Sequence, residues 1–133
     1  MLEGKKVLIV EDDIRAMNNY KFNFSEMEEL AQIIFQYAVN SKETIAILEN
    51  DPPDLIYLDL SLGESRNPEG MDILKRYSGR FNIIVVSGFG EYEAQCMVLG
   101  AKGYITKPIL DFITMLEEGE KVLNLKTSPQ QRT

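Results

Sequence analysis

The sequence predicts an α/β fold, with five parallel strands in one doubly wound sheet and helices on both faces. Three observations predict it. Short, continuous, β-branched apolar runs recur and end abruptly in polar residues, the pattern of strands buried on both faces. Segments with apolar residues at helical spacing separate those runs, and right-handed crossovers through them wind a parallel sheet on both sides. Finally, 133 residues at 44% hydrophobic and 26% charged can bury one core and are not a disordered composition.

The elements follow in order. Lys6–Val10 is a continuous apolar strand that stops at Glu11-Asp12-Asp13. The first helix falls within Asp13–Leu30, a stretch rich in Asn and Phe. A strand is expected within Gln32–Val39, although Met27–Ala38 also reads as one helix. Ser41–Asn50 is a helix with Ile45, Ala46 and Leu48 on one side, capped by Asn40 or Ser41 and stopped by Pro52-Pro53. Leu55–Leu58 is a strand ending in Asp59, and Gly70–Tyr77 a helix carrying Met71, Ile73 and Leu74. Asn82–Val86 is a strand ending in Ser87-Gly88. Glu91–Leu99 is a helix carrying Ala94, Met97 and Val98, with Gly100 at its C-terminus. Gly103–Thr106 is a strand ending in Lys107-Pro108. Ile109–Leu125 is a helix with Ile109, Phe112, Ile113, Leu116 and Val122 at helical spacing, interrupted by Gly119. One domain spans residues 1–126, and the polar segment Thr127–Thr133 is a tail or the start of a linker.

Composition excludes several functions. A net charge of -7 argues against direct nucleic-acid binding, which needs Lys and Arg to neutralise phosphates. The single cysteine, Cys96, excludes an intrachain disulfide framework and fits the reducing cytoplasm, and in Glu91–Leu99 it reads as a packing residue. No apolar run approaches the roughly 18–20 residues of a membrane span. Met1–Val10 does not read as a signal peptide, because Lys5 and Lys6 precede only a short apolar run and then acids. The sharpest exclusion is histidine, of which there are 0. That removes Ser-His-Asp and Cys-His sites, histidine metal ligands and a phosphohistidine carrier.

Function in such sheets collects at the carboxyl ends of the strands. Those ends read Glu11/Asp12/Asp13, Asp59, Ser87 and Lys107. Any single acid after a strand is ordinarily a solvated loop residue or a helix cap, but all four ends carrying such groups points to one site. Asp12 and Asp59 brought together disfavour each other's ionised form, and a hard divalent cation removes the conflict. An oxygen-only set without His or Cys selects Mg²⁺, Mn²⁺ or Ca²⁺ over zinc. Lys107 suits a phosphate oxygen and Ser87 offers a donor, so the set places a phosphoryl group against one carboxylate.

Four segments in order, Val7-Leu-Ile-Val-Glu-Asp-Asp13, Leu55-Ile-Tyr-Leu-Asp-Leu60, Val85-Val-Ser-Gly88 and Gly100-Ala-Lys-Gly-Tyr-Ile-Thr-Lys-Pro108, resemble the signatures of the response-regulator receiver domain of the CheY-like superfamily. The resemblance runs from about Lys5 to Val122. It implies a flavodoxin-like strand order 2-1-3-4-5 and a phosphoacceptor rather than an enzyme acting on other substrates. By the same resemblance Asp59 is the phosphorylated aspartate and Asp12 a direct Mg²⁺ ligand, with Mn²⁺ as an alternative metal. Glu11 acts through water, Ser61 offers a backbone carbonyl to the metal, and Asp13 is a flanking acid. Ser87 is the switch hydroxyl, Lys107 the site lysine, Lys107-Pro108 a cis peptide and Tyr104 the aromatic switch. Charge of about -1.5 to -2 at Asp59 would then draw in Ser87 and let Tyr104 turn inward, biasing the surface of the fourth helix, fifth strand and fifth helix. The implied partners are a histidine kinase or histidine phosphotransfer domain and an unidentified output partner. The chain is then a monomer or a phosphorylation-dependent dimer, free-standing or part of a longer protein such as a hybrid kinase.

The chain departs from the family pattern in four places. Leu60–Gly70 is longer and places Pro68 late, Gly70–Phe81 and Gly88–Gly103 are shorter, and the first helix is unusually polar. Competing readings are a flavodoxin-type cofactor module, a receiver-like scaffold and a metal-dependent phosphatase. Three acids after the first strand repel a cofactor phosphate, which opposes the first. All site residues are present, which opposes the second, and Ser61 stands where the third would want another carboxylate. Met71, Met97 and Met115 read as core, Glu26–Glu29 and Glu117–Glu120 as solvated helix faces, and Phe22 and Phe24 as either core or a partner patch.

Overall fold

Every strand of the sheet is parallel and every connection passes through helix, in a computed structural model that describes residues 2–60, 69–109 and 111–123. The order of elements is β1 (Lys6–Val10), α1 (Ile14–Leu30), β2 (Ile34–Ala38), α2 (Ser41–Asn50) and β3 (Leu55–Asp59). There follow α3 (Glu69–Tyr77), β4 (Ile83–Ser87), a 3₁₀ turn at Gly90–Tyr92, α4 (Glu93–Val98), β5 (Gly103–Thr106) and α5 (Phe112–Val122). The five strands lie in the order β2-β1-β3-β4-β5, as the family resemblance implies. No described helix is long and apolar enough to cross a membrane.

Alternation along each strand feeds two cores. Leu8, Val10, Ile56, Leu58, Ile83 and Val85 face α2, α3 and α4, where Leu48, Leu74, Tyr77 and Cys96 meet them. Val7, Ile9, Leu55, Tyr57, Ile84 and Val86 face α1 and α5, where Tyr20, Phe24, Met115 and Leu116 meet them. The open question at residues 27–38 resolves as a strand. Gln32 at φ +54 turns the chain after α1, and Ile34–Ala38 then pairs in register with Lys6–Val10. Asn40 is the cap of α2, accepting from Glu43 N–H at 2.8 Å, while the Glu43 carboxylate accepts from Val39 N–H at 3.0 Å.

Several details differ from the sequence reading. In α2 it is Thr44 and Leu48 that are buried, and Ala46 is exposed. Only Cys96 of α4 reaches the core. Ala94 is exposed, as are Met97 at 44% and Val98 at 87%, because the short helix follows a 3₁₀ turn that presents this face outward. Helix α5 begins at Phe112, capped by Asp111, so Ile109 precedes it, and Ile113 is exposed. Glu120 is buried rather than solvated. The predicted tail, Thr127–Thr133, lies outside the described residues.

Two aromatic residues of α1 part company. Phe22 is exposed, whereas Phe24 is fully buried, stacked on Phe35 of β2 with centroids 4.5 Å apart and edge-on to Phe112 at 5.5 Å. Gly119 marks a close approach of α5 to the sheet rather than a break in the helix. A Cβ there would lie 2.5 Å from both Leu55 Cδ2 and Tyr57 Oη. Tyr57 has no room to yield, being buried with its hydroxyl donating to the Met115 carbonyl at 2.6 Å.

Denaturant melts should reflect these packings. Phe24→Ala is expected to destabilise by about 3–5 kcal/mol, and Phe22→Ala by less than about 0.5 kcal/mol. For Gly119→Ala, overpacking outweighs the better helix propensity of alanine, for a net loss of about 1–2 kcal/mol. Gly79→Ala, where an added Cβ meets nothing within 4 Å, should shift stability by less than about 0.5 kcal/mol.

Candidate functional site

Strand register assembles the site. Val10 pairs with Leu58, so Glu11 and Asp59, one residue further along each strand, stand level at the carboxyl edge of the sheet. On the other side Asp59 pairs with Val86, which brings Ser87 to the same edge, and Ser87 in turn pairs with Thr106, just before Lys107. Backbone bonds fasten these ends: Glu11 N–H donates to the Ala38 carbonyl at 3.0 Å, and Lys107 N–H to the Ser87 carbonyl at 2.8 Å. The Lys107–Pro108 peptide is cis.

The carboxylates gather tightly. Oxygens of Glu11, Asp12 and Asp59 lie within 4.8 Å of one another. Glu11 is 1% exposed and Asp59 5%, while Asp12 is half-buried. Lys107 Nζ reaches Glu11 Oε1 at 2.7 Å and Asp59 Oδ2 at 3.3 Å. One ammonium thus serves two buried acids. Burial above all, then the Asp59 carboxylate, pushes the Glu11 carboxyl up to about 7 despite the opposing pull of Lys107. Burial alone would lower the Lys107 ammonium, but Glu11 and Asp59 outweigh it and hold it above its ordinary value. This charge-crowded, oxygen-only cluster fits a hard divalent cation such as Mg²⁺ and offers no soft ligand for zinc.

The remaining predicted residues surround the cluster. Asp13 caps α1, its side chain accepting from Arg15 N–H, while its own N–H donates to Glu11 Oε2 at 3.2 Å. Ser87 is fully buried, and its Oγ accepts from Phe89 N–H at 3.1 Å. The Tyr104 hydroxyl donates to the Phe89 carbonyl. Ser61 lies outside the described residues.

The structure adds two residues that sequence reasoning passed over. Gly70 lets α3 lie against β3, since a Cβ there would sit 2.5 Å from the Asp59 carbonyl oxygen. Tyr20 of α1 lines a cavity together with Glu11 and Lys107. The available signal for Tyr20 was its spacing four residues from Phe24, which puts both on one helical stripe.

Comparison with known proteins agrees with this geometry. Residues 7–118 match the family model of the response regulator receiver domain. The sensory transduction protein LytT of Bacillus anthracis is 27% identical over 103 residues, which make up 77% of this chain and 41% of that protein. The chain therefore spans about two-fifths of the length of that relative. The chemotaxis protein CheY of Halobacterium salinarum is 28% identical over 107 residues, 79% of this chain and 86% of that one. Among solved structures, the response regulator protein TrrA of Thermotoga maritima, in complex with Mg²⁺-BeF, superposes with a TM-score of 0.71 at 19% identity, covering 89% of this chain and 98% of that one. With the family model spanning most of its length, the chain belongs to the response regulator receiver domain family.

Proposed function

We propose that this chain accepts a phosphoryl group onto Asp59 from a phosphohistidine on a partner and passes the change to its α4-β5-α5 surface. The observation that carries the reading is the Glu11–Asp12–Asp59 cluster at the edge of the sheet, with buried Glu11 and Asp59 bridged by Lys107. Glu11, Asp12 and Asp59, with the Ser61 backbone carbonyl, are the groups that would hold Mg²⁺. When bound, Mg²⁺ supplies positive charge opposite the transferring phosphoryl oxygens.

The chain's own residues do the rest. An Asp59 oxygen attacks phosphorus, forming the acyl phosphate as the bond to the donor nitrogen breaks. Lys107, which bridges Glu11 and Asp59, neutralises a phosphoryl oxygen. The Ser87 hydroxyl, whose oxygen accepts from Phe89 N–H, donates to another. Tyr104 then follows through Phe89, whose carbonyl it contacts. Signalling, rather than turnover of other substrates, is the output, and a histidine kinase or phosphotransfer domain is the phosphohistidine donor, since this sequence holds 0 histidines, with a small acyl- or amido-phosphate as the partner-free route.

Incubation with Mg²⁺ and phosphoramidate, read by intact mass, should add one phosphoryl group to the unaltered protein and none to Asp59→Asn. Equal labelling of Asp59→Asn overturns the reading. A second expectation concerns pH. The Glu11 carboxyl is raised from 4.5 to about 7 on folding, so between those values the folded state binds more protons than the unfolded one. In chelator, stability should therefore fall as pH rises from about 5 to 8, by on the order of 2 kcal/mol. Added Mg²⁺ should flatten the slope, and Glu11→Gln should abolish it. Urea melts across this range measure both.

A further inference from the structure

The two edges of the sheet are built differently. At one edge β5 is 4 residues long and stands between Lys102 and the pair Lys107-Pro108. Flanking charge and proline are common guards against another strand adding there. At the other edge β2 runs Ile34-Phe-Gln-Tyr-Ala38, and Val39 follows, with no charge, proline or glycine among them. Its one strand neighbour is β1. Ile34 N–H donates to the Lys5 carbonyl, and the Ala38 carbonyl accepts from Glu11 N–H, so the even-numbered residues serve β1. The N–H and C=O groups of Ile33, Phe35 and Tyr37 therefore point away from the sheet. The flank of α1 beside this edge carries both signs of charge. Lys21 Nζ lies 5.2 Å from the centre of the Tyr37 ring. Burial first, then the nearby Glu28 carboxylate, pushes the Tyr37 phenol up to about 12. Lys21 and Glu28 share one helical stripe, and Phe24, between them in sequence, stacks on Phe35 at 4.5 Å. Phe35 thus marks the level midway between the two charges.

We propose that β2 is a docking edge for a second copy of this chain, paired antiparallel about a two-fold axis at Phe35. A two-fold axis presents the same patch from both copies, so the patch has to complement itself. This one does. Phe35 stands opposite Phe35 of the second copy and Tyr37 opposite its Ile33, so the outward N–H and C=O groups exchange bonds across the axis. The same axis sets Lys21 against Glu28 of the second copy, twice. On the other face Ile34, 49% exposed, is covered by Gln36 of the second copy. Two five-stranded sheets become one continuous sheet with β5 at each outer end. The pairing needs no phosphoryl group, so it is independent of the reading of Asp59, and it leaves the α4-β5-α5 surface open.

Sedimentation velocity of the whole, unphosphorylated chain over a concentration series tests the pairing. A net charge of -7 on each copy opposes association, so the series is run at about 150 mM salt, where the Debye length is about 8 Å. The unaltered chain should show a monomer–dimer equilibrium. Lys21→Glu and Glu28→Lys should each weaken the dimer at least about tenfold, because each sets like charges together twice. Combining the two changes should restore the dissociation constant to within about threefold. Both side chains are exposed, so the variants keep the fold. Ile34→Lys, which gives β2 the guard that β5 has, should also weaken the dimer at least about tenfold. A monomer at every concentration overturns the proposal. So does a dimer that the charge reversals leave intact, or one that Val98→Lys on α4 disrupts and Ile34→Lys does not.

Discussion

Two carboxylates, Glu11 and Asp59, are held almost wholly out of water at neighbouring strand ends, and one ammonium, Lys107, spans them at 2.7 and 3.3 Å. Burying like charges this closely is costly unless something opposes them, and a half-buried third acid, Asp12, adds to the imbalance. The rest of the molecule makes this arrangement hold. Parallel register sets Glu11 level with Asp59, the bond from Lys107 N–H to the Ser87 carbonyl ties β5 to β4, and Gly70 lets α3 approach the Asp59 backbone. Residual negative charge is then a property of the fold, and it is what suits the edge of the sheet to a cation.

The strands were legible in the sequence for a physical reason. A strand covered on both faces must be apolar at every position, so β1, β3 and β4 appear as unbroken runs, each stopping where the sheet meets water. The stops gather at one edge of the sheet, which is why Glu11, Asp59, Ser87 and Lys107 are legible together in the sequence. The edge strand β2 is half-covered and mixes Gln36 and Tyr37 with apolar residues, so its pattern also fits a helix. Only pairing with β1 decides.

Helical faces were less legible, because periodicity shows that a stripe exists without showing which side meets the sheet. Phe22 and Phe24 stand two positions apart and point to nearly opposite sides of α1, so only one can be core. The choice falls to Phe24 because Phe35 of β2 and Phe112 of α5 wait there, and neither partner is adjacent in sequence. In α4 the apolar Ala94, Met97 and Val98 outnumber Cys96, yet Cys96 alone turns inward. Gly119 looked like a helix breaker, although its role is to admit Tyr57, a residue on another element altogether.

Phe89 connects the chemistry to the surface. Its N–H donates to Ser87 Oγ, its carbonyl accepts from the Tyr104 hydroxyl, and its ring meets Tyr92 edge-on at 6.0 Å, at the turn leading into α4. One residue therefore touches the buried Ser87 hydroxyl, the Tyr104 phenol of β5 and the turn that enters α4. Any displacement of Ser87 Oγ would pull on the Phe89 amide, and the same residue carries the carbonyl that holds Tyr104. On the proposed function, then, the signal does not have to cross the core. It travels along the three residues from Ser87 to Phe89, which lie between the edge of the sheet and the face that carries Met97 and Val98.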